Sequence, residues 1–178
     1  AAGVPVNVVV ADFGALPDGR MAQAVTMSAG AVCATILTLG GILQSLQMPD
    51  RDGRCAEVTL GHDDIAGYLA SRNYPGAIIG RTAGRIAGGR ISVDGVDHQL
   101  SCNEGTNTLH GGAQGFDRAL WRLVSANVED GAAVLRLTHQ SPAGDEGYPG
   151  ALTVVATYRL DAAGLTLALA ATSDAPTP

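Results

Sequence analysis

At 178 residues the chain suits one domain with a sizeable core, since a domain of this size buries roughly 70% of the surface its unfolded form exposes. Hydrophobic residues make up 46% and charged ones 16%, which excludes a charge-rich disordered polymer, and 24 glycines spread without a three-residue period exclude collagen and imply frequent turns. The net charge of −6, with scattered bases, argues against nucleic acid as a partner, and because all 11 bases are arginine, a Schiff-base lysine and a phosphate loop ending in Gly-Lys-Ser/Thr are both excluded.

The chain opens Ala1-Ala2-Gly3 without a methionine or a charged leader, so a trimmed cytoplasmic form and a mature exported form both stay open, with the cytoplasm favoured over the periplasm. The longest apolar stretch, Ala29 to Leu43, is broken by Thr35, Thr38, Gly40 and Gly41 and is shorter than the ~20 residues of a spanning helix, so no membrane segment is expected. Asp63 to Leu69 offers one or two helical turns behind an acidic cap, interrupted by Gly67. Arg90 to Val93, then Asp94-Gly95, then Val96 to Leu100 predicts a hairpin with a type I′ turn, in which Val93 faces Val96 and Ile91 faces His98. Ala133 to Gln140 alternates as a strand. Leu152 to Leu160 pairs with Leu165 to Ala171 across Asp161 to Gly164, and Ser173 to Pro178 reads as a strand exit. The expected class is all-β, with no internal domain boundary.

Cys33, Cys55 and Cys102 are an odd, widely spaced set, which fits neither a disulfide framework nor a zinc site and predicts reduced, mostly packed thiols with no metal. Among the histidines, His62, His98 and His139 have ordinary explanations in a loop, a half-buried hairpin position and a strand end. His110 differs, because it lies in the polar, glycine-flanked loop Asn103 to Gly112, where backbone can approach a ligand and an imidazole can bond a hydroxyl or ring oxygen. A turn histidine bonded to nearby backbone is the competing reading. The segment Gly80 to Arg90 sets Arg81, Arg85 and Arg90 among glycines, either to clamp sugar hydroxyls, a carboxylate or a phosphate, or to reach solvent and cap carbonyls. Asp145 and Glu146 are adjacent acids that point apart on an extended chain, so a turn is the expected role of Asp145 to Gly150.

Taken together, Asn73-Tyr74-Pro75-Gly76, Gly80-Arg81-Thr82-Ala83-Gly84-Arg85-Ile86, Asn103-Glu104-Gly105, Leu109-His110-Gly111-Gly112, Gly115-Phe116-Asp117, Trp121 and Gly147-Tyr148-Pro149-Gly150 resemble the aldose 1-epimerase (galactose mutarotase) family. Gly40 to Leu46, Met48 to Gly53 and Leu60 to Asp63 extend the match upstream. The resemblance covers nearly the whole chain and about the first half of a typical member. It implies that residues 1–178 form the N-terminal part of a single antiparallel β-sandwich of the galactose mutarotase type.

The activity it implies is interconversion of the α and β anomers of aldohexoses such as galactose or glucose by acid/base ring opening, without a cofactor. Arg85 matches the family's sugar-binding arginine, and His110 its substrate-contacting histidine. Gly84 falls where many members have an asparagine, so one amide contact is missing. No catalytic residue is expected within this chain: the acid histidine and the base glutamate are expected beyond Pro178. The expected partners are therefore an aldohexose and either the complementary C-terminal half or a second copy. Two alternatives are a non-catalytic carbohydrate-binding or interaction module of the same fold, and a relative acting on phosphorylated hexoses through Arg81 or Arg90.

Overall fold

A computed structural model describes residues 4–71 and 73–178. Strands β1 (Val6–Ala15), β2 (Met21–Ala29), β3 (Val32–Leu37), β4 (Leu43–Pro49) and β5 (Cys55–Glu57) pair antiparallel in chain order to form one sheet. Alternation decides which side is buried: Val25, Met27 and Ala29 of β2 and Val32, Ala34 and Ile36 of β3 point to one face and are almost inaccessible. The apolar run Ala29 to Leu43 is thus β3 plus a tight corner. That corner is stitched to a later loop by Gly40 N–H donating to the Ala119 carbonyl and Trp121 N–H donating to the Thr38 carbonyl.

Between the sheets in sequence lie the helix α1 (Ile65–Ala70) and two small ladders. Asp64 caps α1, its carboxylate accepting from Gly67 N–H at 2.7 Å, as the acidic start of that segment predicts. One ladder pairs β6 (Arg85–Ile86) with β9 (Thr108–Leu109). The other pairs β7 (Arg90–Val93) with β8 (Val96–Gln99), with Val93 opposite Val96 and Ile91 opposite His98. Asp94 and Gly95 have φ of 51° and 79°, the two positive angles that a type I′ turn demands.

The second sheet holds β10 (Arg122–Glu129), β11 (Ala132–Ser141), β12 (Leu152–Asp161) and β13 (Gly164–Ser173), again antiparallel in chain order. Leu135 and Leu137 of β11 and Val154, Ala156, Tyr158 and Leu160 of β12 join the β2 and β3 side chains, Phe116 and Trp121 in one core. Each large side chain removed from water there contributes about 1.5–3 kcal/mol. The buried Tyr158 hydroxyl donates to the Gly41 carbonyl, which satisfies it inside the core and ties the second sheet to the corner of the first. The expected all-β antiparallel sandwich is what forms.

Two expectations need correction. Of the three thiols, Cys55 and Cys102 are exposed and only Cys33 is partly buried, because Cys55 lies on the solvated edge strand β5 and Cys102 in an open loop. Arg81 is not available to a phosphate. Its Nε–H donates to Ser141 Oγ, its Nη1 to the carbonyls of Pro149 and Gly150 and to Thr177 Oγ1, and its Nη2 to the carbonyls of Ser141 and Pro142, at 2.8–2.9 Å. Its guanidinium is a clasp joining the end of β11, the Tyr148-Pro149-Gly150 turn and the chain's last residues.

Candidate functional site

The β6/β9 ladder brings Gly84, Arg85 and His110 together. Gly84 N–H donates to His110 Nδ1 and His110 N–H donates to the Gly84 carbonyl, both at 3.0 Å, one step beyond the Arg85–Leu109 pair. Because Nδ1 accepts, the neutral imidazole carries its proton on Nε2, leaving that N–H as a donor to an oxygen. The Tyr74 ring meets the imidazole edge-on with centroids 4.8 Å apart.

Glycines make this approach possible. Gly111 has φ of 89°, and a Cβ on it would strike the Gly80 carbonyl, so the two loops lie in direct backbone contact. Asn103 splints the same loop: its amide donates to the Leu109 and Gly112 carbonyls at 2.9 and 3.0 Å, while Leu109 N–H donates to its Oδ1 at 2.7 Å. The histidine is therefore held by its own ring, its backbone and its neighbours.

Arg85 projects outward with its side chain 62% exposed and is met by Glu104 in a bidentate pair, Nε to Oε2 at 2.5 Å and Nη2 to Oε1 at 2.6 Å. Hydrogen bonds from Arg85 hold the Glu104 carboxyl below the usual carboxylate range against desolvation, and the charge of Arg85 adds to the lowering. On the other side Asp117 is buried, and desolvation raises its carboxyl above the usual range, with Arg118 and His110 opposing. Arg118 lies 3.3 Å from Asp117 and donates to the Leu69 and Ser71 carbonyls at 2.7 Å, closing the C-terminal end of α1.

Tyr74, Glu104, Gly112, Gln114, Asp117 and Arg118 border an open hollow of about 1040 Å³, at the upper end of small-molecule sites. Two of these bordering residues contact the expected sugar-binding pair, Glu104 through its ion pair with Arg85 and Tyr74 through its ring against His110; Arg85 and His110 themselves are one contact removed from the hollow. Arg90, the third arginine of the glycine-rich segment, begins β7 and belongs to the neighbouring hairpin. Asp145 and Glu146 form the expected turn: Ser141 Oγ donates to Asp145, and Ala113 and Gln114 N–H donate to Glu146 at 2.8 and 3.1 Å. His139 sits half-buried against the rings of Phe116 and Trp121, where desolvation lowers its pKa.

Sequence reasoning from single motifs missed the roles of Glu104, Asn103 and Asp117. No local signal in the sequence pairs Glu104 with Arg85: the contact arises from the Glu104–Asn107 bridge and the Arg85–Leu109 pairing, both of which exist only in the fold.

The sequence profile described as Aldose 1-epimerase matches residues 23–178. The chain belongs to the aldose 1-epimerase family. It is 39% identical over 176 residues to a galactose mutarotase of Bos taurus, covering 97% of this chain and 49% of that protein. It is 38% identical over 165 residues to an aldose 1-epimerase of Escherichia coli (strain K12), covering 91% and 46% respectively. Among solved structures, a galactose 1-epimerase from Lactobacillus acidophilus NCFM superposes with a TM-score of 0.82 at 29% identity, over 98% of this chain and 50% of that one. The chain spans about half the length of the family relatives it matches.

Proposed function

We propose that the chain is the sugar-binding portion of an aldose 1-epimerase that interconverts the α and β anomers of an aldohexose such as galactose or glucose. The observation that supports this reading is the pairing of Arg85 with Leu109 and of Gly84 with His110, which brings the two positions onto one short ladder whose contacts Glu104 and Tyr74 border an open hollow. Arg85 and His110 Nε2–H donate to sugar oxygens and fix the ring.

The chemistry then needs one base and one acid. A carboxylate takes the proton of the C1 hydroxyl, the C1–O1 bond becomes a carbonyl, and the C1–O5 electron pair leaves on O5, which receives a proton from an imidazolium. Rotation about C1–C2 and reclosure from the other face give the second anomer. The complementary half of the family fold supplies that acid and base. Each positioned proton transfer is worth ~10²–10⁴ in rate, so the binding portion by itself is nearly inactive.

The second sheet supports such a partner. Leu167 and Leu169 of β13 lie opposite Tyr158 and Ala156, on the core-facing side, yet they are 42% and 54% exposed, and β13 ends its sheet among the described residues. An apolar face continuous with the core and an unpaired edge fit strands from the complementary half. Mixing this chain with that half and following mutarotation of fresh α-galactose by polarimetry tests the reading. Acceleration by the complex, and by neither part alone, is expected. A well-formed complex that binds galactose without accelerating mutarotation would favour the non-catalytic carbohydrate-binding module instead.

A further inference from the structure

The carboxylate of Glu104 occupies the Nε–H of Arg85 and one Nη2–H. A guanidinium has five N–H groups, so two on Nη1 and one on Nη2 remain for a ligand. A ligand reaching them meets an ion pair rather than a bare cation. The two guanidiniums that border the hollow among the described residues follow the same pattern: Arg20 pairs with Asp18 at 2.7 Å and Arg118 lies beside Asp117 at 3.3 Å. Arg81, in the same glycine-rich segment as Arg85, gives its guanidinium N–H groups to protein oxygens instead.

Building on the aldose reading, we propose that Glu104 is a specificity-determining residue: it neutralises Arg85 and aims the remaining N–H groups at uncharged hydroxyl oxygens, so that the hollow selects neutral aldoses over uronates and hexose phosphates. An unpaired guanidinium prefers the opposite, because its fork matches a carboxylate or phosphate in two parallel hydrogen bonds. With Glu104 present, an anionic group must displace a carboxylate already seated on that fork or stand next to its charge. Selection thus arises from a repulsive element rather than from an added contact. A glutamate carboxyl is ionised at neutral pH, and the hydrogen bonds from Arg85 lower its pKa further, so the repulsion persists there.

The test is calorimetric titration of galactose and galacturonate, at pH 7 and low salt, into the chain assembled with the complementary half. Glu104→Gln and Glu104→Asp are compared with the unsubstituted protein. The expected result is that Glu104→Gln raises galacturonate affinity by about tenfold while galactose affinity changes by less than about threefold, that added salt erases the gain, and that Glu104→Asp restores the original ratio. A merely structural Glu104 would weaken both sugars together. An unchanged galactose-to-galacturonate ratio in Glu104→Gln overturns this proposal while leaving the aldose reading intact. Failure of the folded, unsubstituted protein to bind galactose overturns both.

Discussion

The resemblance sets Gly84 at a position where asparagine is expected in many family members, and that glycine's geometry bears on what such a difference would cost. Its φ is 83°, and nothing lies within 4 Å of a Cβ built there. Asparagine tolerates that left-handed conformation better than other side chains do. Gly84→Asn is therefore expected to fold with a melting temperature within a few degrees of the parent and to bind galactose several-fold more tightly, measured by thermal scanning and calorimetry. A second residue-scale prediction concerns Arg81. Alanine there removes a donor from six oxygens of three segments, so Arg81→Ala is expected to cost about 2–4 kcal/mol in urea unfolding. Lysine, lacking the planar fork, recovers only part of this. At this scale the sequence announced Arg85 and His110 through the family motifs, and their adjacency emerged only with the β6/β9 ladder. Glu104 was not legible as a partner of Arg85, because 19 residues separate them and the pairing depends on a ladder two residues long.

Elements whose strands are joined by short turns could be read directly. The β7/β8 hairpin has the expected turn and facing pairs, and β11 and β12/β13 lie where alternation placed them. The predicted four-residue connection narrows to a two-residue turn, since Asp161 pairs with Gly164. Strands β1, β2, β4 and β10 gave weaker signals. On β1 the side chains of one face alternate poorly, and Val9 and Val10 are both exposed, so periodicity carries little information there. At the other edge of that sheet, burial tends to raise the Glu57 carboxyl. Hydrogen bonds from the Ser45 and Thr59 hydroxyls and from Leu46 and Thr59 N–H outweigh it and hold the carboxyl at about 2. Because the folded value lies below the unfolded one, this contribution is present above pH ~4.5 and is lost as pH falls toward 2. The melting temperature of the parent should therefore fall over that window, and Glu57→Gln should flatten part of the decline. An equally steep fall in the variant would assign the acid sensitivity to other carboxylates.

For the whole molecule, the sandwich was legible from pattern and resemblance, while the asymmetry of its burial was not. The core-facing side of β12 is closed and that of β13 is open, so one edge of the molecule is apolar and unpaired among the described residues. Leu169→Glu is expected to leave the chain's own unfolding midpoint nearly unchanged, since the side chain is already half exposed, and to weaken assembly with the complementary half by at least tenfold. Analytical ultracentrifugation of the mixture reads that difference. A variant that assembles normally would place the partner elsewhere.

The grip itself is tested most directly by calorimetric titration of galactose into the assembled protein and its Arg85→Ala and His110→Ala variants. Each donor lost from a hydrogen bond to sugar is expected to weaken binding by about 10–100-fold, with circular dichroism unchanged. Galactose affinity equal to that of the unsubstituted protein in both folded variants would contradict the account.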